Sequence, residues 1–162
     1  KEFKRSDTNR IAQLINKTNQ FNLTVKRLNL EDVIRISKNL NFLTISGNLI
    51  DKFGDNGLVT ILAGKIKKQT IDITIWLMSC RVFNRNLEFA LFDYLISQCK
   101  NKGISTICGS YIKSKKNFIV KDFYKTLGFN KVKSNKTEGK WEYKITNKYV
   151  KKNKIIKITN EK

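Results

Sequence analysis

The chain has 162 residues, 40% of them hydrophobic and 28% charged, and a net charge of +20. That balance fits one folded domain with its own core and excludes a chain too polar to collapse; no apolar run is long enough for a transmembrane helix. Histidine is absent, which excludes a Ser–His or Cys–His dyad and any His-ligated metal within the chain. The three cysteines, Cys80, Cys99 and Cys108, have no zinc spacing and no even count, so no metal site and no disulfide framework are expected.

In chain order, Asp7-Thr8-Asn9 followed by Ile11, Leu14 and Ile15 predicts a capped amphipathic helix to about Asn16. Phe21, Leu23 and Val25 alternate with polar residues and predict a strand. Asn29, as N-cap with Glu31 and Asp32 behind it, opens a short second helix. Strands over 42–47 and 58–64 flank a turn-rich loop at 51–57. Residues 71–78 alternate and then turn continuously apolar, as in a central strand whose end is covered on both faces. A long helix over 86–102 is stopped by Gly103. Residues 104–109 predict a strand and 117–127 a helix ended by Gly128, with further strands at 129–132 and 141–145. Residues 155–158 predict an edge strand kept soluble by lysines, inside a basic tail (148–162) read as a solvated terminus. The class is α+β, a mixed, mostly antiparallel sheet of about seven strands flanked by about four helices.

Chemistry concentrates at Trp76-Leu77-Met78-Ser79-Cys80-Arg81-Val82-Phe83-Asn84-Arg85-Asn86. A hydrophobic strand runs into a thiol, then two arginines, then a helix. Guanidinium groups and open helix N–H groups favour an anion, here one on a thiol or thioester carrier. A plain strand–turn–helix connection with a buried Cys and two surface arginines is the alternative. Arginine beside Cys80 would lower a thiol pKa of about 8.5 and enrich the nucleophilic thiolate. Cys99 and Cys108 read as inert core residues. Arg81 and Arg85 suit bidentate phosphate binding. Asp55 reads either as a base that orients a substrate hydroxyl or as part of an Asp-Asn-Gly turn. Tyr124 reads as a proton donor or as a packed aromatic. Asn117 reads as a helix cap within reach of ligand. Lys113, Lys115, Lys116 and Lys121 could meet an acidic partner. Nucleic acid is disfavoured, because no helix-turn-helix, zinc or stacking motif accompanies the charge.

The strand, basic turn and helix over 71–102, with Asn117, Phe123-Tyr124 and Leu127-Gly128-Phe129 behind them, resemble the GNAT fold of Gcn5-related N-acetyltransferases. The resemblance implies acyl-CoA bound where a central strand splays from its neighbour, over a pyrophosphate loop of the form Arg/Gln-x-x-Gly-x-Gly/Ala. Arg81, Asn84 and Asn86 stand at that motif, with Asn at both glycine places. It implies cofactor contacts from Arg81, Val82, Asn84, Arg85, Asn86 and Asn117, and Tyr124 as general acid to the departing thiolate. Residues 13–24, 52–58, 76–82 and 121–124 together resemble the C-terminal GNAT-like region of FkbH-like proteins, a likeness that covers the chain to about Thr146. That implies an acyltransferase-type domain in which Cys80 holds an acyl, expected to be glyceryl, group before the phosphopantetheine arm of an acyl carrier protein takes it. It also implies an N-terminal HAD-type phosphatase domain, in keeping with a first residue that is not Met, and a cytoplasmic setting. The Asp-x-Asp motif of such a phosphatase is absent here. A CoA-dependent N-acetyltransferase and a non-catalytic carrier-docking module stand beside this reading.

Overall fold

The structure, a computed structural model, describes residues 1–159. Its helices are α1 (Thr8–Lys17), α2 (Leu30–Lys38), α3 (Leu87–Asn101) and α4 (Phe123–Thr126). Its strands are β1 (Phe21–Asn22), β2 (Phe42–Asp51), β3 (Gly54–Lys67), β4 (Thr70–Met78), β5 (Thr106–Ile112), β6 (Asn130–Ser134) and β7 (Glu138–Lys144). They form one seven-stranded sheet in the order β2-β3-β4-β5-β7-β6, with β1 paired to β4. Only β4 and β5 among these pairs run parallel, because α3 carries the chain back across the sheet between them. The expected α+β class and mixed sheet are what the chain forms.

A bulge in β4 explains why its end is apolar on both faces. Ala63 opposes Ile75 but Gly64 opposes Ile73, so Thr74 has no partner across the ladder. The extra residue resets the alternation. Ile71, Ile73, Trp76 and Met78 therefore join the larger core cluster, with Phe92 and Leu95 of α3 and Tyr124 of α4. Ile75 and Leu77 join the other cluster, with Ile11 and Ile15 of α1 and Val33 of α2. Trp76 and Leu77 are both fully buried.

Several local expectations hold in detail. Asn29 and Asp32 form a reciprocal capping box. Gly103 and Gly128 take φ of +68° and +86° at the ends of α3 and α4.

Others change. Asp7 does not cap α1; its carboxylate turns to the Ser6 hydroxyl and the Lys1 ammonium. The expected loop at 51–57 is mostly strand, with the turn confined to 51–54. The first strand stops at Asn22, because the Asn22 side chain accepts from the Val25 N–H at 2.9 Å and Val25 bends to φ +55°. The helix at 117–127 is instead a 3₁₀ turn (Phe118–Val120) followed by the one-turn α4. Val120, Phe123, Tyr124 and Leu127 keep a helical spacing on the core side, but Asp122 at ψ 9° interrupts the run. Residues 155–158 are not a strand. The tail's last residues, 160–162, lie outside the described residues; over 148–159 most side chains are exposed, as expected, but the backbone is tied down: the buried Asp93 carboxylate accepts from the Tyr149 hydroxyl and from the backbone N–H groups of Lys152 and Asn153, each at 3.0 Å. Asn153 then turns the chain by accepting from the Ile155 and Ile156 N–H groups.

Candidate functional site

The β4–β5 ladder ends at the pair Ile73–Gly109, although β4 continues to Met78 and β5 to Ile112. The two strands part above that pair. At the apex sits Tyr124, 1% exposed, with its ring under Gly109, where an added Cβ would come well inside 3.0 Å of it. Its Oη is buried without a hydrogen-bond partner among the described residues. Burial first, and the Asp72 charge second, push the phenol pKa up; the Ser110 backbone works weakly against them without reaching hydrogen-bond geometry. Tyr124 is therefore a neutral phenol that holds its proton more tightly than a solvent-exposed tyrosine does.

Beyond the end of β4 the chain forms a 3₁₀ turn (Cys80–Val82) before α3 begins at Leu87. Cys80 is exposed. It lies in that turn, between the end of β4 and the start of α3, at the junction of strand and basic turn that its sequence context implied, and not buried as in the plain-connection alternative. Arg81 donates through Nη2 to the Asn56 carbonyl at 3.3 Å and through Nε to Ser79 Oγ at 3.4 Å. Arg85 pairs with the Asp51 carboxylate, which also accepts from Phe53 N at 2.8 Å and Asn56 Nδ2 at 3.2 Å. The β2–β3 hairpin tip is thus clamped to the 80–86 loop, and both arginines face it. Asp55 is exposed and accepts from Gly57 N at 2.7 Å, which is turn chemistry. Val82 is fully buried and its N–H goes to the Ser79 carbonyl, so that N–H is not open to a ligand.

Asn84 and Asn86 take φ of 60° and 59°. Both glycine places of the phosphate-loop pattern are thus left-handed here, and Asn is among the few residues that tolerate this. Asn86 places no side-chain cap on α3, so its side chain does not close the helix N-terminus.

The gap between β4 and β5 is filled by the chain itself. Phe21 and Asn22 pair with Met78 and Leu77. Leu23 N–H donates to the Trp76 carbonyl at 3.1 Å, and Ile112 N–H donates to the Leu23 carbonyl at 2.8 Å. Thr24 Oγ1 donates to the carbonyl of the bulge residue Thr74 at 2.8 Å. Asn117, 0% exposed, closes the arrangement. Its Nδ2 donates to the carbonyls of Asn22 (2.9 Å) and Ile112 (2.8 Å), and its Oδ1 accepts from Ser114 N (2.8 Å) and the Tyr111 hydroxyl (3.3 Å). The amide has no capacity left, so Asn117 is a clasp rather than a helix cap or a ligand contact. Phe21 packs edge-on to Phe123 at 4.9 Å and lies 6.1 Å from Phe83, which joins the two rims of the opening. Sequence reading missed residues 21–24 as site residues; the available signal was two polar side chains, Asn22 and Thr24, that the fold buries between apolar neighbours.

Cys99 is buried and its thiol is pushed up to about 12 by that burial. Cys108 is half-buried, and burial, Glu142 and Asp72 all raise its pKa. Cys108 lines a cavity of about 570 Å³ on the open sheet face with Lys65, Lys67, Asp72, Lys140 and Glu142. A smaller cavity, about 210 Å³, lies between β2, α3 and the tail. Neither is lined by Cys80 or Arg81. Among the described residues no group of Cys, Asp and Glu is placed to hold a metal ion, and no helix is long and apolar enough to cross a membrane.

No family model matches the chain, and no curated protein matches it. Solved structures do. The ribosomal-protein-S18-alanine N-acetyltransferase from Escherichia coli superposes with a TM-score of 0.69 at 12% identity, covering 93% of this chain and 97% of its own. The GNAT domain of S. lividans PAT gives 0.69 at 13% identity, covering 90% and 89%. PaiA N-acetyltransferase from Thermoplasma acidophilum, in complex with coenzyme A, gives 0.56 at 20% identity, covering 72% and 69%. At these identities the likeness is one of fold, and it agrees with the parted β4 and β5 and the α3 crossover: the chain has the GNAT fold.

Proposed function

We propose that this is an acyltransferase-type domain that places an acyl group, expected to be glyceryl, on the phosphopantetheine thiol of an acyl carrier protein. In this reading it is the C-terminal part of an FkbH-like protein, working with an N-terminal HAD-type phosphatase domain. The observation that carries it is the exposed Cys80 at the open end of the central strand, next to Arg81 and a loop turned twice through left-handed Asn84 and Asn86. Cys80 thiolate attacks the carbonyl of an acyl phosphate; a C–S bond forms, the C–O bond to phosphate breaks, and phosphate leaves. The carrier thiol then attacks the Cys80 thioester, forming its own C–S bond as the Cys80 bond breaks and the Cys80 thiol is restored. Arg81, which is exposed beside Cys80, attracts the phosphate group, while Arg85 is held by Asp51. Support for an acidic partner comes from Phe118 and Ile119, 59% and 60% exposed, set among exposed Lys113, Lys115, Lys116 and Lys121. An apolar pair ringed by positive charge suits a carrier with an acidic face. Intact-protein mass spectrometry after incubation with the acyl donor tests the reading. An adduct on Cys80, lost in Cys80→Ala together with transfer, is expected. Full transfer by Cys80→Ala with no adduct rejects the covalent role.

A CoA-dependent N-acetyltransferase is the second reading. It is favoured by Tyr124, whose hydroxyl is buried without a partner at the apex of the parted strands. Calorimetry with acetyl-CoA decides it, since absence of heat at millimolar ligand rejects it.

A further inference from the structure

A pantetheine arm is an extended chain with two amides. To lie between β4 and β5 it needs unpaired strand-edge N–H and C=O groups, as any added strand does. Along the upper part of β4 the carbonyls that face this gap are taken by the chain itself. Met78 and Leu77 pair with Thr60 and Ile61 of β3 on one side and with Phe21 and Asn22 on the other. The next two carbonyls on the open side are also taken, that of Trp76 by Leu23 N–H and that of Thr74 by the Thr24 hydroxyl. Across the gap, the Ile112 N–H and carbonyl are held by Leu23 and Asn117.

We infer that residues 21–24 are a built-in stopper that occupies the thioester-arm slot of this GNAT fold, so that the domain rejects free CoA and meets thioester arms only at the mouth, beside Cys80. This rests on the carrier-directed reading above and adds its specificity. Free CoA draws its binding energy from the slot and the phosphate loop together; without the slot, only the loop remains. A carrier-borne arm is held by contacts between two proteins and needs no deep slot.

Three independent features make the stopper part of the fold and not a loose loop. Leu23 is fully buried and Phe21 is 6% exposed. Asn117 is fully buried and has all of its amide committed, half of it to the stopper and to the β5 end beside it. The chain leaves the slot through Val25 at φ +55°, a conformation that a β-branched residue keeps only when its surroundings enforce it. Here the enforcing group is the Asn22 side chain, which accepts the Val25 N–H.

The test combines calorimetry with CoA and amide hydrogen exchange at Leu23 and Ile112. In the unaltered protein we expect no saturable heat up to about 1 mM CoA, meaning a Kd weaker than about 1 mM, and strong protection of both amides. Asn117→Ala removes the clasp. Thr24→Val, nearly isosteric, removes one bond and serves if the first variant does not fold. In whichever variant is folded and has lost at least tenfold protection at Leu23, CoA is expected to bind. CoA binding to the unaltered protein overturns the stopper, and so does failure of the loosened variant to bind. Neither result bears on the Cys80 adduct, so the catalytic reading stands or falls separately.

Discussion

Tyr124→Phe removes one oxygen from a buried polar site that has no hydrogen-bond partner among the described residues. Burying a hydroxyl without a partner forfeits its bonds to water and costs about 1–3 kcal/mol. The Tyr124 Oη is such a group: the side chain is 1% exposed, its oxygen has no geometric partner, and the nearest backbone is that of Gly109 and Ser110. The ring itself stays packed against Trp76, Phe123, Phe129 and Trp141, so the substitution loses no ring contact. A small void and the weak pull of Ser110 offset part of the gain. The net expectation is about 1–2 kcal/mol of added stability, or roughly 2–8 °C in Tm for a domain of this size. Urea unfolding followed by tryptophan fluorescence, with both midpoint and slope measured, reads it directly. A loss of more than about 1 kcal/mol would refute the reasoning, because it would mean that the hydroxyl makes a bond the fold depends on. The same protein separates the two functional readings. An N-acetyltransferase with Tyr124 as its acid becomes more stable and much slower; a Cys80 transferase becomes more stable and keeps its rate.

Gly109→Ala is expected to destabilise by about 2–3 kcal/mol in the same assay, since its methyl meets a ring that Trp76, Phe129 and Trp141 hold in place. Stability is expected to fall in alkali. Burial raises the Cys99 thiol from about 9 to about 12, so above pH 9 the unfolded chain loses a proton that the native state keeps. That window costs about 1.4 kcal/mol per pH unit. Unfolding of the parent and of Cys99→Ala at pH 9 and pH 10 checks the sign, with the flatter profile expected for the variant. Asp93→Ala releases Tyr149, Lys152 and Asn153 from α3. Trypsin should then cut the tail at least tenfold faster, while the rest of the domain resists as before.

What could be read in advance followed local rules. The Asn29–Asp32 box, the glycines at 103 and 128, and the apolar stripe of α3 each need only neighbours within a turn or two. The cluster at residues 80–86 was visible as a composition of thiol, arginine and asparagine, and the left-handed backbone at Asn84 and Asn86 matches the glycine places of the pattern. Asn117 was misread for an instructive reason. An Asn ahead of an apolar run looks like a cap, but its side chain turns back to residues 111–114 and to Asn22, 95 residues away. Asp55 and Val82 were drawn into the site by their position in the chain, whereas their hydrogen bonds go to the turns they sit in. The tail misled in the same way, because nothing near Lys152 or Asn153 announces that their N–H groups end on Asp93.

By itself, then, the order of residues determined the class of fold, the succession of helices and strands, and the chemistry gathered after β4, since periodicity, capping and turn preferences act over a few positions. Tertiary structure decided where β4 and β5 part, that residues 21–24 lie between them, and that Tyr124 is sealed at the apex while Cys80 stays open to solvent. Those outcomes depend on which backbone groups find partners across the sheet, and a buried N–H or C=O that is cut off from water must find one elsewhere in the chain. No local stretch can show which distant segment will supply it.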